Sequence, residues 1–203
     1  HVKKLKLKKV KAERKKVIKS KLNTKVPSFK DLNTLVKYYD NGWVEDAEKL
    51  AKRMTKEFPD HKLGWLVLGL TMGQSGRLEE ALIATQNILR IDPNDLDACT
   101  NLGIIFKDLG RLGEAEETLR QAISLQPNAV PAYVNLGNVL KDLGKLDEAE
   151  ASLNQALVLE PNHALAHNNL GNVLKELGKL DEAKAHLRQA IVLEPGDALA
   201  YNG

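Results

Sequence analysis

One cysteine, Cys99, stands in the whole chain of 203 residues, so no internal disulfide can form. A lone thiol fits a reducing compartment, and the expected location is cytoplasmic. No apolar run reaches the roughly 18 residues of a membrane-spanning helix. Aromatic residues make up only 4% of the chain, and none precedes Phe29 to stack on a nucleic-acid base. With 14 glycines and 7 prolines, most of the chain can form regular structure around a core. Period-two alternation, the mark of a half-buried strand, occurs only between Lys4 and Lys8. The motif G-x-x-x-x-G-K-[ST] has no match, so no phosphate-cradling loop is read.

What is present is a repeat. Gly69, Gly103, Gly137 and Gly171 fall 34 residues apart. At the same period stand Leu68, Leu102, Leu136 and Leu170, then Gly76, Gly110, Gly144 and Gly178, then Ala81, Ala115, Ala149 and Ala183, and Pro93, Pro127, Pro161 and Pro195. Self-similarity at this spacing marks a stacked array, each unit burying its apolar face on its neighbours. Five units are read, 28–61, 62–95, 96–129, 130–163 and 164–197, with a stub of a sixth at 198–203; a basic arm, 1–27, precedes the array at 28–203. The last two full units agree at 23 of 34 positions. The first keeps Tyr38, Gly42, Ala47 and Pro59 but has Leu35 where the later units have glycine.

Each unit reads as two helices. In the fourth, Tyr133, Leu136, Gly137 and Leu140 form one apolar stripe at helical spacing. Gly144 ends that helix, and a second stripe of Leu146, Ala149, Leu153 and Ala156 runs up to Pro161. Small residues at Gly137, Ala149 and Ala156 bring the two axes close together. Asp95, Asn128 and Asn162 are expected to cap the first helices, and Ser28 with Asp31 reads as a capping box at the array boundary. The pattern resembles the tetratricopeptide repeat, through Trp65, Leu68, Gly69, Met72, Gly76, Ala81 and Pro93 and again through Tyr133, Leu136, Gly137, Leu140, Ala149 and Pro161. The resemblance covers residues 28–197 and implies an all-α, right-handed superhelical solenoid of antiparallel helix pairs, with first helices lining a concave side.

In that family, ligands meet the first helices at positions 2, 5, 6, 9, 12 and 13 of the unit. Position 6 holds Asn101, Asn135 and Asn169, and position 9 holds Asn138 and Asn172. Lys107, Lys141 and Lys175 fill position 12, followed by Asp108, Asp142 and Glu176. Asparagine offers both donor and acceptor, so a ladder of them can pair with a peptide backbone of any sequence. The strings NLGNVLKDLG (135–144) and NLGNVLKELG (169–178) resemble the repeats of O-linked N-acetylglucosamine transferases, which implies that the position-6 asparagines hold a substrate peptide. Towards the N-terminus the ladder is read as broken at Val67 and Thr34. A solvated polar face is the bland alternative. The lysine and arginine clamp that some members of the family close on acidic chaperone tails has no counterpart at positions 2 and 5.

Catalytic chemistry finds no footing in these residues. Cys99 belongs to a packed stripe, and His163 and His167, four apart, are read as a turn residue and a core slot rather than a metal pair. His61 and His186 have no partner at ligand spacing. Acid pairs such as Asp147/Glu148 open second helices, where the dipole favours them. No enzyme activity, cofactor, metal or small-molecule substrate is expected from this chain's own residues.

Charge divides the chain. Residues 1–26 carry twelve basic side chains against Glu13 alone, a balance of +11, while the rest carries −8. Lys3, Lys4, Lys6, Lys8, Lys9, Lys11, Arg14, Lys15 and Lys16 are the candidates for contact with an anionic surface, either nucleic acid or membrane. The arm also reads as a solvated extension packing on the first unit, or as a degenerate extra repeat. Leu7, Val10, Val17, Ile18 and Leu22 share a loose arc, from which Leu5 and Ala12 stray. Leu187 and Ile191 are expected to be only partly covered by the stub, which raises self-association through that end. The leading expectation is a scaffold that holds a protein or extended peptide in its concave groove. The alternative is the recruiting part of a larger glycosyltransferase or sulfotransferase.

Overall fold

Ser28 opens the first helix of the computed structural model, which describes residues 26–195. Its hydroxyl accepts from the Asp31 amide at 3.1 Å and donates to the Asp31 carboxylate at 2.7 Å, so the expected capping pair is in place. Ten helices follow among the described residues, with no strand. They are α1 (Phe29–Asp40), α2 (Val44–Glu57), α3 (Lys62–Gln74), α4 (Leu78–Ile91), α5 (Leu96–Asp108), α6 (Leu112–Leu125), α7 (Val130–Asp142), α8 (Leu146–Leu159), α9 (Ala164–Glu176) and α10 (Leu180–Leu193). The arm readings over residues 1–25 and the stub at 198–203 lie outside the described residues.

The turn between paired helices is set by one glycine. Gly144 takes φ +73°, and its amide donates to Lys141 O at 2.8 Å while the Lys145 amide reaches back to Leu140 O at 2.9 Å. This pair of hydrogen bonds closes orphan carbonyls of α7, and an L side chain rarely adopts that φ. The second helices carry no side-chain cap; acids in their first turns, such as Asp147 and Glu148, face the positive dipole end instead. Each stops two residues short of a proline, since the residue before proline is pushed out of helical geometry.

The first helices start one residue later than two of the expected caps. Asp95 does cap α5, accepting from the Ala98 amide at 2.8 Å. Asn128 and Asn162 do not cap: the residues in Asp95's register are Ala129 and His163. His163 takes the role with Nδ1, which accepts from the Ala166 amide at 3.2 Å, and α7 starts without a side-chain cap but with Pro131 in its first turn. A further bond pins the turns between units. Trp65 Nε1 donates to Pro59 O at 2.8 Å, the Tyr133 hydroxyl to Pro127 O at 3.3 Å, and His167 Nε2 lies 3.0 Å from Pro161 O.

By contact the chain divides into two compact bodies, at Ser75/Gly76. In the first, α2 packs on both α1 and α3, around Leu35, Ala47, Ala51, Met54 and Val67. In the second, every helix from α4 to α10 packs on the next, and one core runs from Leu102 through Leu119, Leu140, Leu153 and Leu174 to Ala183.

Within the second body's hairpins the axes meet where glycine faces leucine. A Cβ on Gly103, Gly137 or Gly171 would stand 2.5, 2.5 and 2.6 Å from Cγ of Leu119, Leu153 and Leu187. In the first unit the sizes are exchanged: Leu35 stands in the glycine register and Ala51 in that of the leucine, both fully buried in one cluster. Two opposed effects then decide a glycine-to-alanine change. Alanine gains about 1 kcal/mol of helix propensity, and overpacking a fixed core costs about 1–3 kcal/mol. Leu153 has no exposed surface and so cannot swing clear. Gly137→Ala is therefore expected to lower the unfolding free energy in urea, whereas Gly113→Ala, with nothing within 4 Å of its Cβ position, is expected to raise it.

Candidate functional site

Three first helices of the second body lie side by side, α5 against α7 and α7 against α9. Equal register on neighbouring helices brings Asn101, Asn135 and Asn169 onto one face, each half-buried, with Ile104, Asn138 and Asn172 in the row beyond. The helices position these side chains through their own buried stripes, Leu102 and Phe106, Leu136 and Leu140, and Leu170 and Leu174, which turn the opposite arc outward.

The asparagines do not share one environment. Asn135 Nδ2 donates to Pro131 O at 2.8 Å, one turn back on its own helix. Asn169 Nδ2 is shielded from solvent and has no hydrogen-bond partner among the described residues, a state that costs about 1–3 kcal/mol for an amide donor. Beside them, Lys107 pairs with Asp108 at 3.2 Å and Lys141 with Asp142 at 3.7 Å. Lys175 and Glu176 are exposed. Consecutive opposite charges leave the face close to neutral. The first unit has an asparagine in the same register. Counting the first unit from Ser28 places Asn33, not Thr34, in the register of Asn101; Thr34 comes one residue later and donates to Lys30 O at 2.7 Å.

Second helices carry the charge. Lys145 Nζ meets Glu116 at 2.8 Å and Lys179 Nζ meets Glu150 at 2.7 Å, each lysine reaching the acid in the same register of the unit before. Arg120 spans from Glu116 at 3.0 Å to Glu148 at 2.7 Å. The Lys145 and Arg120 bonds hold the Glu116 carboxyl below its usual range against the opposing effect of burial. Arg111 has no acid in the unit before, since Leu82 stands there; it pairs with Glu114 and stacks 4.5 Å over the Phe106 ring.

Tetratricopeptide-repeat family models match residues 37–95, 103–144, 137–178 and 164–197. Among curated proteins no relative matches. Among solved structures, TTC0263, a thermophilic TPR protein of Thermus thermophilus, is similar at 28% identity and TM-score 0.70, over 85% of this chain and 95% of that one. MamA from Desulfovibrio magneticus RS-1 is 19% identical at TM-score 0.73, over 80% of this chain and 92% of that one. YrrB, described as a TPR protein with an unusual peptide-binding site, is 21% identical at TM-score 0.68, over 92% and 94%. The last two likenesses are of fold.

Of the residues set aside for chemistry, Cys99 is 1% exposed, and burial pushes its thiol up, away from the reactive thiolate. His186, which has no partner at ligand spacing along the sequence, meets one across the helices. His186 Nδ1 lies 2.9 Å from Nδ1 of His167, across the α9–α10 pair, a contact that no spacing along one helix reveals. Because Pro161 O can only accept, His167 carries its proton on Nε2, and His186 donates through Nδ1. Burial, then the neighbouring His167, pushes His186 below its ordinary value, with Glu182 opposing. A folded value below the unfolded one, about 6.5, means that the stability from neutral His186 is complete above that pH and is lost as pH falls through the folded value. Between pH 7.5 and 5 the wild-type chain is expected to lose more unfolding free energy in urea than His186→Gln, which keeps a donor without a titrating ring.

Proposed function

The chain belongs to the tetratricopeptide-repeat family, and from that premise we propose that it is a protein-interaction scaffold holding an extended peptide across α5, α7 and α9. The observation that carries this reading is the row of Asn101, Asn135 and Asn169 in equal register on three adjoining helices, half-buried and uncharged. Turned towards a guest, each amide offers donor and acceptor to a backbone whose own groups alternate in the same way. Asn138 and Asn172 extend the polar strip. Lys107, Lys141 and Lys175, with Asp108, Asp142 and Glu176, rim it with charges that exchange partners at little cost, since exposed ion pairs are worth about 0–1 kcal/mol.

The likeness of 135–144 and 169–178 to transferase repeats supports a backbone-reading role for the asparagines. So does the peptide-binding site named for YrrB. Affinity falls unevenly along the row. Asn135 must surrender its bond to Pro131 O to serve a guest, while Asn169, whose Nδ2 is shielded, turns outward without losing one.

The test is anisotropy of a fluorescent, randomised, extended peptide pool with the intact chain. Replacing Asn101, Asn135 and Asn169 together by alanine is expected to weaken binding at least tenfold, at about 0.5–1.5 kcal/mol for each bond lost. Asn169→Ala is expected to weaken it more than Asn135→Ala, with an unchanged or higher melting temperature. Equal binding by a folded triple variant rejects the groove.

A further inference from the structure

The fifth unit differs from the others at two positions that meet in space. His167 stands in the register of Tyr133 and His186 in that of Ser152, where the third unit has Cys99 and Thr118. In the fourth unit Ser152 Oγ donates to Tyr133 O at 2.9 Å. In the fifth, two imidazoles approach instead, Nδ1 to Nδ1 at 2.9 Å, with ring centroids 5.1 Å apart and 31° between the planes. The rings therefore meet at their nitrogen edges rather than face to face. His167 Nε2 donates to Pro161 O at 3.0 Å, which leaves the lone pair of its Nδ1 aimed at His186. Metal-ligating histidines are held in this way: the far nitrogen gives its proton to a carbonyl, which fixes the tautomer and the ring orientation. Both rings are half-buried, so ions from solvent reach them. Burial, then the neighbouring His167, favours the neutral form of His186, and that is the form that ligates. Glu182, one turn earlier on α10, adds a negative charge that favours a cation there.

We propose that His167 and His186 chelate one divalent transition-metal ion of the imidazole-binding class, with zinc as its type, through their two Nδ1 atoms, so that the ion bridges α9 and α10. Zinc–nitrogen bonds of about 2.0–2.1 Å set two nitrogens about 3.3–3.4 Å apart on a tetrahedral ion. The pair stands at 2.9 Å, so a small rotation of the half-buried rings opens it far enough. His186 moves its proton from Nδ1 to Nε2 and His167 keeps its own on Nε2, so no proton is released while both rings are neutral. No third histidine, cysteine or carboxylate completes a ligand set among the described residues. The remaining coordination positions are open to water, as in sites that keep an exchangeable ligand. Imidazole selects zinc, copper or nickel over calcium and magnesium, which take oxygen. Unfolding separates the two ligands, so the ion stabilises the folded hairpin.

Zinc chloride titrated into the full chain tests the site, by calorimetry and by thermal melting in zinc against EDTA. The wild-type chain is expected to show a saturable site on this pair and a higher Tm in zinc. His167→Tyr and His186→Ser install the residues of the fourth unit, of which Tyr133 keeps a carbonyl bond and Ser152 a bond across the hairpin. Each is expected to lose the site and to melt at the same temperature in zinc and in EDTA, while His1→Gln, His61→Gln and His163→Asn keep both effects. In the wild-type chain, ring-nitrogen NMR is expected to show zinc moving the Nδ1 resonances of His167 and His186, a readout that needs no variant. Absence of saturable binding by the wild type, a site that survives in folded His167→Tyr or His186→Ser, or unmoved Nδ1 resonances at saturation overturns the proposal. So does a Tm unchanged or lowered by zinc.

Discussion

Contact between the backbone of a first helix and a leucine of its partner sets the geometry of the hairpins. At Gly103, Gly137 and Gly171 no room exists for even a methyl group over Leu119, Leu153 and Leu187. Close axes in turn bury Ala115, Ala149 and Ala183 and leave the outer sides of the second helices free for the next unit. The first unit meets the same constraint with its sizes exchanged, Leu35 over Ala51. What the fold requires is the sum of the two volumes, and either helix can supply the larger part.

Neighbouring units of the second body are then joined by two kinds of contact. Apolar burial supplies the energy, because fully covered leucines such as Leu119 and Leu153 are each worth about 1.5–3 kcal/mol. Ion pairs contribute little of that, being partly exposed. Their value is in register: Lys145 finds Glu116 and Lys179 finds Glu150 only if successive second helices are aligned. In the fifth unit the acid of this series is replaced by Lys184, so α10 carries a base where α6 and α8 carry an acid.

Most of this fold was legible because its signals are local and repeated. Glycine at positive φ, proline two residues past each second helix, and alanine at the close approach each constrain the backbone directly, and five copies average out irregularities. What escaped depended on single residues or on contacts between helices. The caps at Asn128 and Asn162 were placed one residue early, since asparagine's general preference for caps says nothing of register; the tandem position of Asp95 does. The pairing of His167 with His186 joins two helices, and helical spacing is blind to it. The bonds from Trp65, Tyr133 and His167 to the prolines six residues before were legible in principle, since a polar-tipped ring recurs at that spacing. The candidate face was legible as a row of asparagines, but not the difference between Asn135, already bonded to its own helix, and Asn169, which is not.

That distribution of charge and amide bears on what the second body can select. Its second helices spend their acids and bases on one another, in the Lys145–Glu116 and Lys179–Glu150 pairs. On the first helices, lysine and acid alternate along the chain and cancel, as in Lys107–Asp108. On the proposed reading, a guest on that face would meet little net field to steer it by charge. Amide groups would then be the means of recognition, and they address what every peptide has in common. Discrimination between guests would in that case fall to shape and to the flanking ion pairs, whose exposed partners can be exchanged one for another with little loss.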